Sequence, residues 1–138
     1  MRMNDVLLVY GDVGRGEFTE NPTSFVELKE RLEDIKNEYN RLLGIPYSVD
    51  LVREGKGRLS VGLGDAGWMI FYYSEDGETV LNSLGDENLE GTVMFYFGDQ
   101  TELSKKYLIP IVDAIEVIRA WFEKGEISNS IKWTEKIY

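Results

Sequence analysis

The spacing of apolar and polar residues predicts one clear helix in the first third of the chain. The run Ser24-Phe25-Val26-Glu27 fits a capping box, in which the serine hydroxyl and the glutamate carboxylate each accept a hydrogen bond from a free backbone N–H. Apolar residues then recur every three or four positions, which places them on one face of a helix. They are Phe25, Leu28, Leu32, Ile35, Tyr39 and Leu42. Gly44 and Pro46 follow, so the helix is expected to end there.

Before the helix, the apolar run in Asp5–Tyr10 predicts a short strand. After Pro46 the spacing of apolar residues changes from that of a helix to that of strands. Five β-rich runs follow, separated by turns that contain Gly, Asp and Glu. They are Ser48–Arg53, Arg58–Leu63, Trp68–Tyr73, Thr79–Leu84 and Thr92–Phe97. The connections between them are too short to hold a crossover helix, so neighbouring strands are expected to run antiparallel as a meander.

A second helix is expected to begin near Pro110 and to end at Gly125, and Ser130–Ile137 has the pattern of a last strand. The apolar stripe of this helix comprises Ile111, Ala114, Ile115, Ile118 and Phe122. The order β-α-β5-α-β predicts an α+β fold, mainly an antiparallel meander sheet of about six or seven strands with two helices packed on it. The length of 138 residues predicts a single domain over residues 1–138.

The composition excludes several kinds of site, because the chain contains no cysteine and no histidine. Disulfides, thiolate nucleophiles, Ser–His and Cys–His catalysis, and Cys or His metal sites are therefore ruled out. No pattern predicts a metal or a cofactor, although an oxygen-ligand site or a carboxylate pair stays open. The first apolar run, Val6–Tyr10, is too short for a signal-peptide core and no run is long enough to span a membrane, so a cytoplasmic protein is expected.

The negative charge of the chain is concentrated in one block. The net charge is −10, and no Lys or Arg occurs between Leu59 and Ser104. This block carries nine acidic residues: Asp65, Glu75, Asp76, Glu78, Asp86, Glu87, Glu90, Asp99 and Glu102. A field of one sign repels phosphate backbones and attracts basic partners, so direct binding of nucleic acid is disfavoured. The alternative is that these acids only keep a small protein soluble.

The stretch from Val61 to Tyr73 contains a literal dinucleotide-binding fingerprint, G-x-G-x-x-G, at Gly62, Gly64 and Gly67. That motif binds a pyrophosphate only where the glycines lead into a helix, whose N-terminus faces the phosphates. Here a run of strand-forming residues follows Gly67 instead. A bend and tight turn between two strands is therefore the favoured interpretation, and nucleotide binding is the alternative.

Two of the predicted strands, Trp68–Tyr73 and Thr92–Phe97, are apolar on both alternating sets of residues. Such a strand is expected to be covered on both faces. Two arrangements would do this. Either the helices cover one face and the sheet curls over the other, or a partner protein covers a surface rich in aromatic residues and rimmed by acids.

Short motifs in the second half of the chain carry a resemblance to a known family. They are Gly67-Trp68, Tyr72-Tyr73-Ser74, Ser83-Leu84-Gly85-Asp86, Gly91-Thr92-Val93, Phe95-Tyr96-Phe97-Gly98, Gln100-Thr101-Glu102, Leu108-Ile109-Pro110 and Ile131-Lys132-Trp133-Thr134-Glu135. In this ordered set the chain resembles the first-numbered family of immunity proteins in bacterial polymorphic-toxin systems. It departs from the usual pattern at Leu103-Ser104, where members continue with Phe-Pro. The first sixty residues match no family motif.

The resemblance implies a non-catalytic protein that binds a cognate toxin domain, often a nucleic-acid deaminase or nuclease, and blocks it. The toxin is expected to be basic, because an acidic inhibitor can occupy a surface made for phosphates. No membrane is expected to take part, and the immunity protein is expected to be a monomer or a weak dimer. The alternative function is a small carboxylate-based enzyme or a nucleotide-binding domain that uses the Gly62–Gly67 turn.

Residues expected to contact the toxin lie in or beside the matched motifs and the acidic block. The acids are Asp65, Asp86, Glu87, Asp99 and Glu102, and the aromatic residues are Trp68, Tyr72 and Tyr96. Aromatic anchors commonly dominate protein interfaces, which is why the second group is included. Glu102 also has a structural alternative, since its carboxylate could cap the backbone that follows Phe95–Phe97.

Overall fold

A computed structural model of the chain describes residues 6–11, 14 and 16–135. Nine strands and two helices follow one another within these residues. They are β1 (Val6–Gly11), β2 (Glu17–Glu20), α1 (Phe25–Leu43), β3 (Ser48–Arg53), β4 (Gly57–Gly62), β5 (Met69–Tyr73), β6 (Val80–Leu84), β7 (Thr92–Tyr96), β8 (Gln100–Ser104), α2 (Ile111–Lys124) and β9 (Lys132–Thr134). A 3₁₀ turn over Lys105–Tyr107 connects β8 to the segment before α2.

The main sheet has seven antiparallel strands in the order β2-β1-β3-β4-β5-β6-β9. This arrangement confirms the α+β fold and the antiparallel meander predicted for β3 to β6. The prediction for Thr92–Phe97 was wrong in one respect, because β7 leaves the meander and pairs with β8 as a separate two-stranded hairpin. The position beside β6 is occupied by β9 instead.

The first helix begins and ends at the residues that its sequence indicates. Ser24 Oγ accepts a hydrogen bond from the backbone N–H of Glu27 at 3.1 Å. The Glu27 carboxylate accepts one from the backbone N–H of Thr23 at 2.9 Å, one residue earlier than a capping box requires. Gly44 takes the left-handed conformation with φ 78° and donates its N–H to the carbonyl of Asn40, which closes the last turn.

Both helices pack on one face of the main sheet, and the larger core lies between them and β1, β3, β4 and β5. Of the residues expected on the inner side of α1, Leu28, Leu32, Ile35 and Tyr39 are buried and Phe25 is partly buried, while Leu42 is 49% exposed at the last turn. The helices of the described residues do not combine the length and the apolar content that crossing a membrane requires.

The second helix starts after Pro110 and is fastened to the sheet at its C-terminal end. The indole N–H of Trp121 donates to the carbonyl of Leu51 at 3.1 Å. The Arg53 guanidinium donates to the carbonyls of Trp121 at 3.2 Å and Phe122 at 3.0 Å, so a cation lies at the negative end of the helix dipole. The predicted last strand is shorter than expected, and Ile137 lies outside the described residues.

The opposite face of the sheet is covered by the β7–β8 hairpin. Alternate residues of β5 divide between the two cores, with Ile70 on the helix side and Met69 and Phe71 on the hairpin side. Phe71 meets the ring of Phe97 edge-on at 5.1 Å, and Phe95 is 1% exposed. Strand β5, which is apolar on both faces, is therefore covered on both, and the cover on its second face is a hairpin of the same chain. Strand β7 is buried at Phe95 on its inner side only.

Candidate interaction surface

The three glycines of the dinucleotide fingerprint are explained by close packing. A Cβ added at Gly62 would lie 2.6 Å from the Phe95 ring, and one at Gly64 would lie 2.4 Å from the carbonyl oxygen of Gly67. A Cβ at Gly67 would lie 3.0 Å from the carbonyl oxygen of Ile109. Gly67 leads through Trp68 into strand β5, so the turn offers no helix N-terminus to a pyrophosphate. The structure thus removes the basis of the nucleotide-binding alternative.

The hairpin is held on the sheet along its whole length. Its inner residues Val93, Phe95, Phe97 and Leu103 form the second core together with β5 and Tyr107. Backbone hydrogen bonds tie its two ends to the rest of the fold. Near the tip, the backbone N–H of Tyr96 donates to the carbonyl of Pro46 at 2.8 Å. Before β7, the backbone N–H of Gly85 donates to the carbonyl of Lys106 at 2.7 Å. Side chains on its outer side are consequently presented from a fixed backbone.

The charged side chains that belong to this hairpin are all acidic, and the Lys105 side chain, from the turn that follows, lies near Gly91. We define the acidic hairpin as residues 85–104, which comprise β7, β8, their turn and the loop that precedes them. This segment contains five acidic residues and no Lys or Arg. All five side chains are exposed: Asp86, Glu87, Glu90, Asp99 and Glu102. A surface on which carboxylates predominate, held in fixed geometry, is suited to attract and orient a basic partner.

Local hydrogen bonds orient three of these carboxylates. Asp86 Oδ1 accepts from the backbone N–H of Asn88 at 2.9 Å, and Asp99 Oδ1 accepts from the N–H of Gln100 at 2.8 Å. Glu102 Oε1 accepts from the Thr92 hydroxyl at 2.9 Å across the hairpin. Glu102 thus contacts a side chain of the neighbouring strand, which differs from the backbone cap considered above. Each group is a charged acceptor with lone pairs left for a partner.

The other residues predicted as contacts lie away from the acidic hairpin or inside the fold. Asp65 is exposed on the turn before β5, and its carboxylate pairs with Lys36 of α1 at 2.7 Å. Trp68 is 1% exposed and donates its indole N–H to the carbonyl of Gly64 at 3.0 Å. The expectation that Trp68 offers an aromatic surface is therefore wrong, because its ring fills the core.

The two tyrosines among the predicted contacts are half-buried and pack against the larger core. Tyr72 meets the Trp121 ring edge-on at 5.8 Å and donates its hydroxyl to the carbonyl of Lys56 at 3.0 Å. Burial raises the pKa of the Tyr72 hydroxyl above its usual range, so this group stays a neutral donor. Tyr96 stacks on Tyr47 with 6.1 Å between ring centroids.

Sequence reasoning missed two acidic residues that lie beside the hairpin tip. Glu17 belongs to β2, a four-residue strand that lacks the alternating pattern of a strand, and Asp50 lies in β3. Both line a cavity with Tyr96 and Gly98 of the hairpin. Asp50 is one of three polar residues in the run Ser48–Arg53, so no local signal distinguished it. Within the residues that the structure describes, no group of three or more carboxylates is arranged to hold a metal ion.

The family model described as Immunity protein Imm1 matches residues 19–135. The chain belongs to the Imm1 family of immunity proteins. The match runs from β2 to just beyond β9, so it includes α1 and the first strands of the meander, which carried no recognisable motif. It confirms the resemblance seen in the motifs of the second half. No curated protein matches the chain.

Proposed function

We propose that this Imm1 protein neutralises the toxin domain of its own system by binding it without catalysis. The toxin is a basic, nucleic-acid-targeting deaminase or nuclease, and the bound immunity protein covers its active or substrate-binding surface in the cytoplasm. The chain acts as a single domain, as a monomer or weak dimer. The observation that carries this proposal is the acidic hairpin, with five exposed carboxylates on a backbone anchored to the sheet.

The physical reason is the match between such a hairpin and a surface made for phosphates. A nucleic-acid-binding surface presents Lys and Arg side chains that neutralise phosphate charges. Carboxylates on a fixed scaffold occupy the same positions, and they reorganise little on binding because Asp86, Asp99 and Glu102 are already held by hydrogen bonds. Long-range attraction between the two surfaces speeds their encounter.

A stoichiometry experiment tests the mode of action. A candidate cognate toxin domain is titrated with the immunity protein while its activity on nucleic acid is measured. We expect inhibition to be complete at a fixed molar ratio, with the mass of the toxin unchanged after it is recovered from the complex. A toxin domain from an unrelated system is the control and should keep its activity. Inhibition that accumulates with time at far lower amounts of immunity protein would instead reveal an enzyme.

A further inference from the structure

A cavity of about 150 Å³ lies at the ends of β1 and β3, under the tip of the acidic hairpin. Gly11 of β1 and Gly98 of the hairpin turn both line it. The remaining lining is contributed mainly by two carboxylates, Glu17 and Asp50, and three tyrosines, Tyr10, Tyr47 and Tyr96. The cavity therefore joins the first three strands to the hairpin.

Strand pairing explains why the two carboxylates meet at this cavity. Glu17 is opposite Gly11, and Asp50 is opposite Val9, so both acids flank the same end of β1 from its two neighbours. Asp50 Oδ1 accepts a hydrogen bond from the Ser60 hydroxyl at 2.6 Å, which fixes this carboxylate. No Lys or Arg is among the described residues that line the cavity. The two charges that the described lining residues contribute are thus both negative.

The hydroxyl groups of two of these tyrosines, Tyr10 and Tyr47, are already hydrogen-bonded within the protein. The Tyr47 hydroxyl donates to the carbonyl of Gly11 at 2.8 Å, and burial raises the pKa of Tyr47 to about 12. Its ring stacks between Tyr39 at 4.5 Å and Tyr96 at 6.1 Å. The Tyr10 hydroxyl donates to Glu20 and accepts from the Arg31 guanidinium at 3.1 Å. These contacts hold the walls in place.

We propose that this cavity receives an arginine side chain of the toxin, a proposal that rests on the function proposed above. A guanidinium is planar and weakly hydrated, stacks on aromatic rings and donates paired hydrogen bonds to carboxylates. Glu17 and Asp50 supply the carboxylates, and the half-buried Tyr96 supplies an aromatic ring, since the Tyr47 ring is buried against Tyr39 and Tyr96. The acidic hairpin attracts the basic surface over distance, and the cavity under its tip fixes one residue in place. Arginine anchors of this kind commonly dominate interfaces.

A matched pair of small probes tests the cavity without the toxin. The full chain is titrated with N-acetyl-arginine amide and with N-acetyl-citrulline amide, which has nearly the same shape and no charge, while backbone amide shifts are followed by NMR. We expect the arginine probe to shift the amides of Gly11, Asp50 and Gly98, and the citrulline probe to bind at least tenfold more weakly. Equal binding of both probes, or shifts confined to other surfaces, would overturn the proposal.

Variants of the two cavity carboxylates then test whether the cavity binds the toxin. Glu17→Gln with Asp50→Asn removes both charges and keeps an acceptor for Ser60, whereas Glu30→Gln with Glu33→Gln makes the same charge change on the exposed side of α1. We expect the first pair to weaken the toxin complex at least tenfold, through faster dissociation, and the second to have little effect. Urea denaturation of both variants verifies their folding.

The outcomes separate this inference from the proposed function. If the toxin complex forms and both pairs of variants bind it equally, the cavity is not an anchor while the proposed function stands. If the toxin is neither bound nor inhibited, the proposed function fails, and the probe titration alone decides whether the cavity binds a guanidinium group.

Discussion

Replacing Phe95 with alanine should detach the acidic hairpin from the sheet. Phe95 is 1% exposed, and its ring lies 5.9 Å from that of Phe97 and against the backbone of Gly62 and Gly64. Truncating a buried phenylalanine costs about 3–5 kcal/mol of unfolding free energy. The two glycines beneath the ring have no side chains that could move into the space. We therefore expect a loss of about 4 kcal/mol, since the cost grows with the cavity left behind.

A loss of this size is a large fraction of the stability of a typical domain, which is about 5–15 kcal/mol. Urea denaturation followed by tryptophan fluorescence measures it, because Trp68 and Trp121 are both 1% exposed and change environment on unfolding. Hydrogen exchange of the β7 and β8 amides shows whether the hairpin opens before the rest of the sheet.

Met94→Ala is the matched control for this prediction. Met94 precedes Phe95 on β7, points to the outer side and is only partly buried. We expect it to cost about 1 kcal/mol or less, as substitutions near a surface usually do. If Phe95→Ala costs no more than Met94→Ala, the hairpin is not anchored by its inner aromatic residues, and the acidic surface has no fixed geometry.

Two further substitutions test packing and charge elsewhere in the fold. Gly64→Ala should lower the free energy of unfolding by about 1–3 kcal/mol, because the new Cβ would lie 2.4 Å from the carbonyl oxygen of Gly67. Urea denaturation measures this change, and an unchanged urea midpoint would show that the turn can accommodate a Cβ. The Arg31 guanidinium, 2.8 Å away, holds the pKa of the Glu20 carboxyl below its usual value of about 4.5. The pair therefore stabilises the fold above that pH, and the stabilisation is lost as the pH falls through the lowered pKa. When the pH is lowered from neutral to below about 4.5, Glu20→Gln should therefore lose less unfolding free energy than the unchanged protein. Parallel curves of unfolding free energy against pH for the two proteins would contradict this reasoning.

Much of the fold could be predicted because its signals are local. The cap at Ser24, the apolar stripe of α1 and the short turns between β3 and β6 each act within a few residues. The path of β7 could not be predicted in this way. A strand that is apolar on both faces fits the meander and a covering hairpin equally well, and its place is decided by the fit of Phe95 over Gly62 and Gly64. Strand β2 was missed since its sequence, EFTE, is polar and short.

The candidate surface was predicted in part, because some of its features depend on neighbouring residues and others on contacts between residues far apart in the sequence. Asp86, Asp99 and Glu102 lie in loops or on an outward face, where a run without Lys or Arg is sufficient to indicate a charged surface. Trp68 could not be separated from an exposed anchor by sequence alone, because aromatic residues fill cores and interfaces alike. Glu17 and Asp50 come together only through the pairing of β1 with β2 and β3, which local patterns do not encode.

The most direct test of the account is the salt dependence of the association rate with the cognate toxin domain. The triple variant Asp86→Asn, Asp99→Asn and Glu102→Gln removes three charges of the acidic hairpin and keeps every acceptor oxygen used in its local hydrogen bonds. The control variant changes three exposed acids outside this hairpin, and its substitutions are Glu54→Gln, Glu75→Gln and Glu78→Gln. Rates are measured by stopped flow from low to high ionic strength.

We predict that the unchanged protein and the control associate rapidly at low salt and slow steeply as salt is added. The triple variant should associate about tenfold or more slowly at low salt, with a nearly flat dependence, and should approach the others at about 1 M salt, where the screening length falls to about 3 Å. Association rates that fall equally with salt in all three proteins would contradict the claim that the acidic hairpin receives the toxin.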